Sequence, residues 1–218
     1  MAEFDNLNVV QKEVNPRSIP FDEYFGKMDL TDEQKEERIE LAEDFKDSLL
    51  FLFSLIGLYK AYADSQNWDM ALYIETIAFQ FKNRYKAVLE ENKLLDEYVN
   101  SYLDLFAITV LEATMRHIDD EYYLSEDRAT YIAENESNTI LNHSDYEKAI
   151  ADGKTKKKWI DIRDNRERKT HLAVGGTVKP IQEPFIVGDS LMLYPKDKET
   201  YGASDEEIIG CRCTIKYF

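Results

Sequence analysis

The chain has 218 residues, enough for one large or two small domains that each bury a core. Its 27 basic and 43 acidic residues leave a formal charge of −16, which disfavours an even coating of duplex DNA, because sequence-independent affinity for phosphate comes from Lys and Arg displacing counterions. Two cysteines one residue apart give no disulfide framework and fit a reducing cytoplasm.

The opening MAEFDNLN lacks the basic and apolar regions of a signal peptide. Residues 1–29 read as an extended arm, since Pro16 and Pro20 block regular helix, and such a polar arm can fold on contact with a partner. No proline lies between Pro20 and Pro180, and from Lys27 to Asp152 the only glycine is Gly57. Gly and Pro cost about 1 and 3 kcal/mol inside helices, so this stretch is helical. Thr31-Asp32-Glu33-Gln34 forms a capping box that opens a first helix, running to about Ala63. Within it Leu49 to Leu58 is almost wholly apolar, yet it is half the length that a membrane span of roughly 20 residues needs. A second helix begins near Asn67 with Ile74, Ala78, Phe81, Tyr85 and Val88 in one stripe. A third begins near Asn92 with Val99, Leu103, Phe106, Val110 and Ala113, and Ser125 starts a fourth that runs to about Ala151. These stripes read as core faces of a bundle.

After Gly153 the period changes. Lys158 to Ile162 and Ile208 to Tyr217 alternate like half-buried strands, a helical turn is expected around Arg166 to Leu172, and a long loop from Gly175 to Tyr201. The fold class is therefore α+β: an arm (1–29), an N-terminal helical bundle (30–152) and a small C-terminal α+β domain with short strands (153–218).

Lys154 to Lys169 carries eight basic against three acidic residues, a local net of +5 that contains Trp159. Lys156, Lys157, Lys158 and Arg163 are its candidates for contact with nucleic acid or an acidic partner, and solvation or internal pairing is the plainer expectation. Arg166 and Arg168 suit bidentate pairing with Asp164 or Glu136. His171, Cys211 and Cys213 form the one metal constellation, because alternate residues of a strand face the same way. A fourth ligand would come from Asp161, Asp164 or Asp197; buried thiols beside a hydrogen-bonded histidine are the simpler reading, so no cofactor is expected and zinc is the alternative. His117 and His143 read as surface or capping residues, which leaves His171 without an acid–base partner for phosphodiester chemistry, and no enzyme is expected.

Taken in order, the C-terminal residues resemble the Mu F-like minor head proteins of the phage head-morphogenesis family. The resemblance is carried by Arg128, Ala129, Ala133, Glu136 and Asn142 on the fourth helix, then Trp159, Asp164, Arg166, Arg168, His171, Gly175 or Gly176, Phe185, the Pro195 and Asp197 turn, and Cys211, Arg212 and Cys213. Asn135 stands where the family has Thr, and residues 1–124 carry no match. The resemblance implies a structural minor head (minor capsid) protein of a tailed double-stranded DNA phage or prophage, assembled into the virion in the host cytoplasm. It implies the portal protein as partner, with major capsid or scaffolding protein beside it, only weak or local DNA contact, and no membrane. The competing expectation is a nucleic-acid-binding or nuclease-like module that uses the Lys154 to Lys169 stripe and His171.

Overall fold

The structure, a computed structural model, describes residues 19–63, 70–164 and 166–218. The chain folds as two compact units: Ile19–Ile39 with Glu134–Phe218 form the first, and Glu40–Ala133 the second. The expected boundary near Gly153 marks a change of secondary structure, since the helix ends at Ala151 and the first strand starts at Lys156; the compact units divide elsewhere.

The helical unit is built from the greater part of α2 (Asp32–Ala63), α3 (Met70–Glu91), α4 (Glu97–Arg116), a 3-10 turn (Glu121–Leu124) and the start of α5 (Glu126–Ala151). Leu41, Phe45, Leu49, Leu52, Ile56 and Tyr59 recur every three or four residues along α2 and are buried. They form one core with Phe81 and Tyr85 of α3 and Phe106 of α4; Phe45 stacks on Tyr85 at 4.0 Å, and Tyr85 lies 5.2 Å from Phe106. The stripe on α3 is rotated from the expected one, with Ile77 and Leu89 buried and Ile74, Ala78 and Val88 half-buried. On α4, Thr114 is buried where Ala113 was expected. That helix starts at Glu97 and not near Asn92, because Lys93 takes a φ of 57° and Asp96 accepts the Val99 amide at 2.7 Å. The expected start of the second helix at Asn67 lies outside the described residues. No helix among the described residues is long and apolar enough to cross a membrane.

The mixed unit starts with a correction. Pro20 does not prevent helix but opens one, as the residue before α1 (Phe21–Gly26), whose Phe21, Tyr24 and Phe25 are buried. The capping box forms as expected: Gln34 donates its amide to Thr31 Oγ1, and Thr31 donates to Gln34 Oε1, both at 3.2 Å. Antiparallel strands β1 (Lys156–Ile160), β2 (Val178–Pro180) and β5 (Thr214–Tyr217) make a sheet in the order β2-β1-β5, and β3 (Phe185–Val187) pairs with β4 (Ser190–Met192) as a hairpin. The expected loop over 175–201 thus holds three strands, each only three residues long and too short for an alternation to register. The expected strand from Ile208 is broken into α7 (Asp205–Ile208) and β5, because Gly210 turns the chain with a φ of 69° and the Cys211 amide bonds back to Ile208. The helical turn falls at α6 (Lys169–Val174), starting three residues later than expected and ending two later.

Between these pieces runs the second half of α5. From Glu134 to His143 every residue is buried, although the sequence there is ENESNTILNH. Loop backbone, Arg38 and Lys196 satisfy its amides. Asn135 Oδ1 accepts from Lys196 Nζ (2.8 Å) and the Gly210 amide (2.7 Å). Asn138 accepts from Arg38 Nε and donates to the Cys211 carbonyl, both at 3.2 Å; Asn142 accepts from Arg38 Nη2 (3.2 Å) and donates to the Pro195 carbonyl (3.1 Å). A polar helix survives in a core only when its side chains are paired in this way.

Candidate functional site

Two of these asparagine contacts hold the loop that carries the cysteines. Asn135 fixes Gly210 and Asn138 fixes Cys211, while Arg168, at the residue before α6, donates to the Ile209 carbonyl and ties that helix to the same loop. His171 on α6 is thereby aimed at both sulfurs, with Nδ1 3.5 Å from Cys211 Sγ and 3.4 Å from Cys213 Sγ. All three side chains are buried. The other ring nitrogen, Nε2, lies 2.9 Å from Glu207 Oε2, and Glu207 also accepts from Thr170 Oγ1 at 2.8 Å. Trp159 meets the His171 ring edge to face at 6.0 Å.

The electrostatics sort the two thiols. Burial works against a Cys211 thiolate, but hydrogen bonds from Cys213 and His171 and the charge of Lys196 outweigh it and hold the thiol well below its ordinary pKa. Cys213 is pushed up, by its bond to Cys211 and then by burial. Burial pulls the His171 imidazolium down, while Cys211 and Glu207 more than restore it, so its pKa stands above the ordinary value. A cleft of about 20 Å³, room for one water, opens beside the three groups and is lined by Glu167, Arg166, Arg168 and Arg212. Glu167 Oε2 accepts the Arg163 amide at 3.1 Å, whereas its buried Oε1 has no hydrogen-bond partner. Burial and Asp161 raise the pKa of this carboxyl.

The other singled-out residues serve the frame. Arg128 is buried in the helical unit, donating to Thr114 Oγ1 (2.7 Å) and the Tyr123 carbonyl (2.8 Å) and lying over the Phe53 and Tyr123 rings. Glu136 is buried on α5, where its charge favours the Lys196 ammonium. Phe185 packs edge-on against Trp159 at 5.2 Å. The Pro195 turn forms, closed by the Asp197 amide on the Tyr194 carbonyl, with Lys196 at a φ of 71°. Gly175 and Gly176 are both required: a Cβ on Gly175 would sit 2.4 Å from Asp161 Oδ1, and Gly176 has a φ of 79°.

Several expectations are corrected. Lys157 is fully buried, its Nζ donating to the Leu193 carbonyl at 2.6 Å between the Tyr146 and Phe185 rings, because strand alternation turns it inward with Trp159. Only Lys156 of the three consecutive lysines is exposed, Lys158 is half-buried, and Arg163 pairs with Asp161 at 3.1 Å. Asp164 pairs with Arg212 (2.7 Å) and not with the Arg166 or Arg168 guanidinium. With Asp161 on Arg163 and Asp197 accepting from Leu193 and Thr200, none of the three expected fourth ligands joins the cluster. His143 is buried and bonded to Tyr194 Oη at 2.9 Å, while His117 does follow α4 as its cap. Glu207 and Asn138 were missed as parts of the site, Glu167 was read only as a charge of the basic stripe, and Asn135 and Asn142 only as positions of the family pattern. The asparagines' spacing of three and four residues along a helix was legible, but an Asn stripe reads as a solvated face until its partners are known.

The family described as Phage Mu protein F like protein matches residues 108–216, beginning inside α4 and so earlier than the residues that carry the resemblance. No curated protein and no solved structure matches the chain.

Proposed function

Because the chain belongs to the Phage Mu protein F like family, and is on that ground a phage head-related protein, we propose that it is a minor head protein that acts in head morphogenesis by binding at the portal vertex. The observation that carries the docking part is the outer surface of the helical unit. Phe51 and Leu58 on α2, Leu72 and Phe79 on α3, and Leu105 and Ile108 on α4 are exposed at helical repeats of three or seven residues, which gives each helix an apolar row outside its own core. Most of the family residues from Glu136 onward, by contrast, are buried or half-buried in the mixed unit. The portal protein is the partner of this reading, with major capsid or scaffolding protein as neighbours, and the virion, assembled in the host cytoplasm, is its place.

The order sulfur, imidazole, carboxylate in Cys211, His171 and Glu207 has the form of a nucleophile, base and orienting acid. Its surroundings do not support catalysis. Both sulfurs are buried and nearly equidistant from one nitrogen, and the adjoining cleft has room for about one water. The nucleic-acid reading loses Lys157 to the core and Arg163 to Asp161.

The test is retention of the full chain on a portal protein from the same phage or prophage genome. Leu72→Glu with Phe79→Glu should lower retention at least tenfold without unfolding the chain, and binding should change little between low and physiological salt. Duplex DNA should be released as salt rises, with a slope of about −0.9 per phosphate contacted. No retention of the parent chain on the portal, or tight DNA binding at physiological salt, would overturn the proposal.

A further inference from the structure

We propose that His171, Cys211 and Cys213 hold one structural zinc ion, with Glu167 supplying the fourth oxygen through Oε1 and Glu207 orienting the histidine from behind. The inference rests on the geometry of the mixed unit and is independent of portal binding.

Three observations converge. The first is distance. Zinc bonds of ~2.3 Å to sulfur and ~2.0–2.1 Å to imidazole nitrogen, set at the tetrahedral angle, place a nitrogen and a sulfur ligand about 3.5 Å apart. The two separations here are 3.4 and 3.5 Å, and the three ligand atoms lie within 4.8 Å of one another, so both nitrogen–sulfur edges of the tetrahedron are already built. The second is what stands behind the ligands. A zinc-bound histidine typically gives its outer N–H to a carboxylate, which fixes the ring, and Glu207 occupies that position at 2.9 Å from Nε2 while Thr170 steadies it. Trp159 is wholly buried and closes the site from one side, its ring edge to face with His171 at 6.0 Å.

The third is the vacant corner of the coordination polyhedron. Glu167 lines the same cleft as the three ligands, and its Oε1 is buried without a donor while its Oε2 is already used by Arg163. It stands outside the group of three ligand atoms that lie within 4.8 Å of one another, and a turn of its side chain would bring that oxygen to the ion. The set, two thiolates, one imidazole and one carboxylate, is the soft tetrahedral donor group that selects zinc over magnesium or calcium. It carries one net negative charge with zinc bound, and Arg168 and Arg212 beside the cleft balance it. Zinc takes the place of the protons now shared among Nδ1 and the two sulfurs and releases them on binding.

The test uses the full chain, purified with a reducing agent present and dialysed against weak chelator. Elemental analysis should find about one zinc per chain. Cobalt exchanged for it should give the thiolate-to-cobalt charge-transfer absorption and the intense visible bands of a tetrahedral site. Cys211→Ser and Cys213→Ser should each remove that absorption. Should those variants fail to fold, Glu207→Gln decides the matter: chelator competition should show zinc affinity weakened 10- to 100-fold with the far-ultraviolet circular dichroism unchanged. Glu167→Gln should weaken zinc as well, and bound zinc should protect both thiols from alkylation. A folded parent chain that contains no zinc and gives no thiolate-to-cobalt band would overturn the proposal, and so would zinc retained undiminished in the two serine variants.

Discussion

Lys157 pays an electrostatic penalty that can be read as a function of pH. Burial lowers its pKa from 10.5 to about 8, with Asp197 and Glu183 opposing the shift and Lys179 adding to it. Below pH 8 the lysine is charged in both states and the folded chain bears the full cost of burying the charge. Between about 8 and 10.5 the unfolded chain holds a proton that the folded chain has released, so this residue makes stability rise with pH across that window. Lys157→Met should remove that part of the rise, of order 2–3 kcal/mol between pH 8 and 10.5, measured as denaturant midpoints of parent and variant. Parallel pH profiles would sink the argument. Gly175 gives a purely steric test. Its missing Cβ leaves room for the buried Asp161 carboxylate, and Gly175→Ala should cost about 1–3 kcal/mol in equilibrium unfolding; a loss under ~0.5 would show that Asp161 moves freely aside.

At the scale of elements, the legible helices were those whose stability comes from an apolar stripe. Periodicity finds α2, α3 and α4 because Phe45, Phe81 and Phe106 recur with their neighbours at helical spacing. The capping residues Thr31 and Asp96 are local signals, although only the first was used. Helix α5 was placed correctly by residue number and given the wrong surroundings. Its Asn135, Asn138 and Asn142 are polar, so the sequence offers no sign that they lie in a core; the information sits in Arg38, Lys196 and the loop carbonyls, which pair with them from 53 to 104 residues away. The same distance hid the site. His171, Cys211 and Cys213 were recognisable by type, whereas Glu207 and Glu167 join them only through the turn at Gly210 and the cap of α6. Asn138→Ala tests the helix directly. It leaves Arg38 Nε and the Cys211 carbonyl without their partner and should cost about 2–4 kcal/mol, against less than ~0.5 for Asn83→Ala on the exposed face of α3; equal effects would refute the core role.

For the whole molecule, the division at Ile39 and Ala133 changes how the chain should be cut. Ending it at Asp152, the boundary that composition indicates, removes the partners that Lys196, Gly210, Cys211, Pro195 and Tyr194 supply to Asn135, Asn138, Asn142 and His143 and keeps those of Arg38. The buried polar half of α5 would then lack those partners, so the truncated chain should fall short, by circular dichroism, of the helix that its retained segments hold in the parent, by up to the contribution of residues 134–151. Full helicity in the fragment would mean that α5 needs no partners.

The mixed unit is also assembled from two separated stretches of chain, 19–39 and 134–218, with the whole helical unit between them. That connectivity sets a schedule. The inserted segment folds through neighbours along the chain, while the flanking pieces must close a loop of more than ninety residues before Arg38 can meet Asn138. Refolding should therefore be biphasic, with helix signal leading and the fluorescence of Trp159 following in a slower step whose rate falls when the Arg38 contact is removed. Until that step, the half-made protein carries its asparagines in water at no cost. A helix face written in asparagine does not collapse early, so this face of α5 waits for its loop partners without the sticky surface that a leucine stripe would expose, while the apolar cluster of Trp159, Phe185 and Met192 assembles beside it.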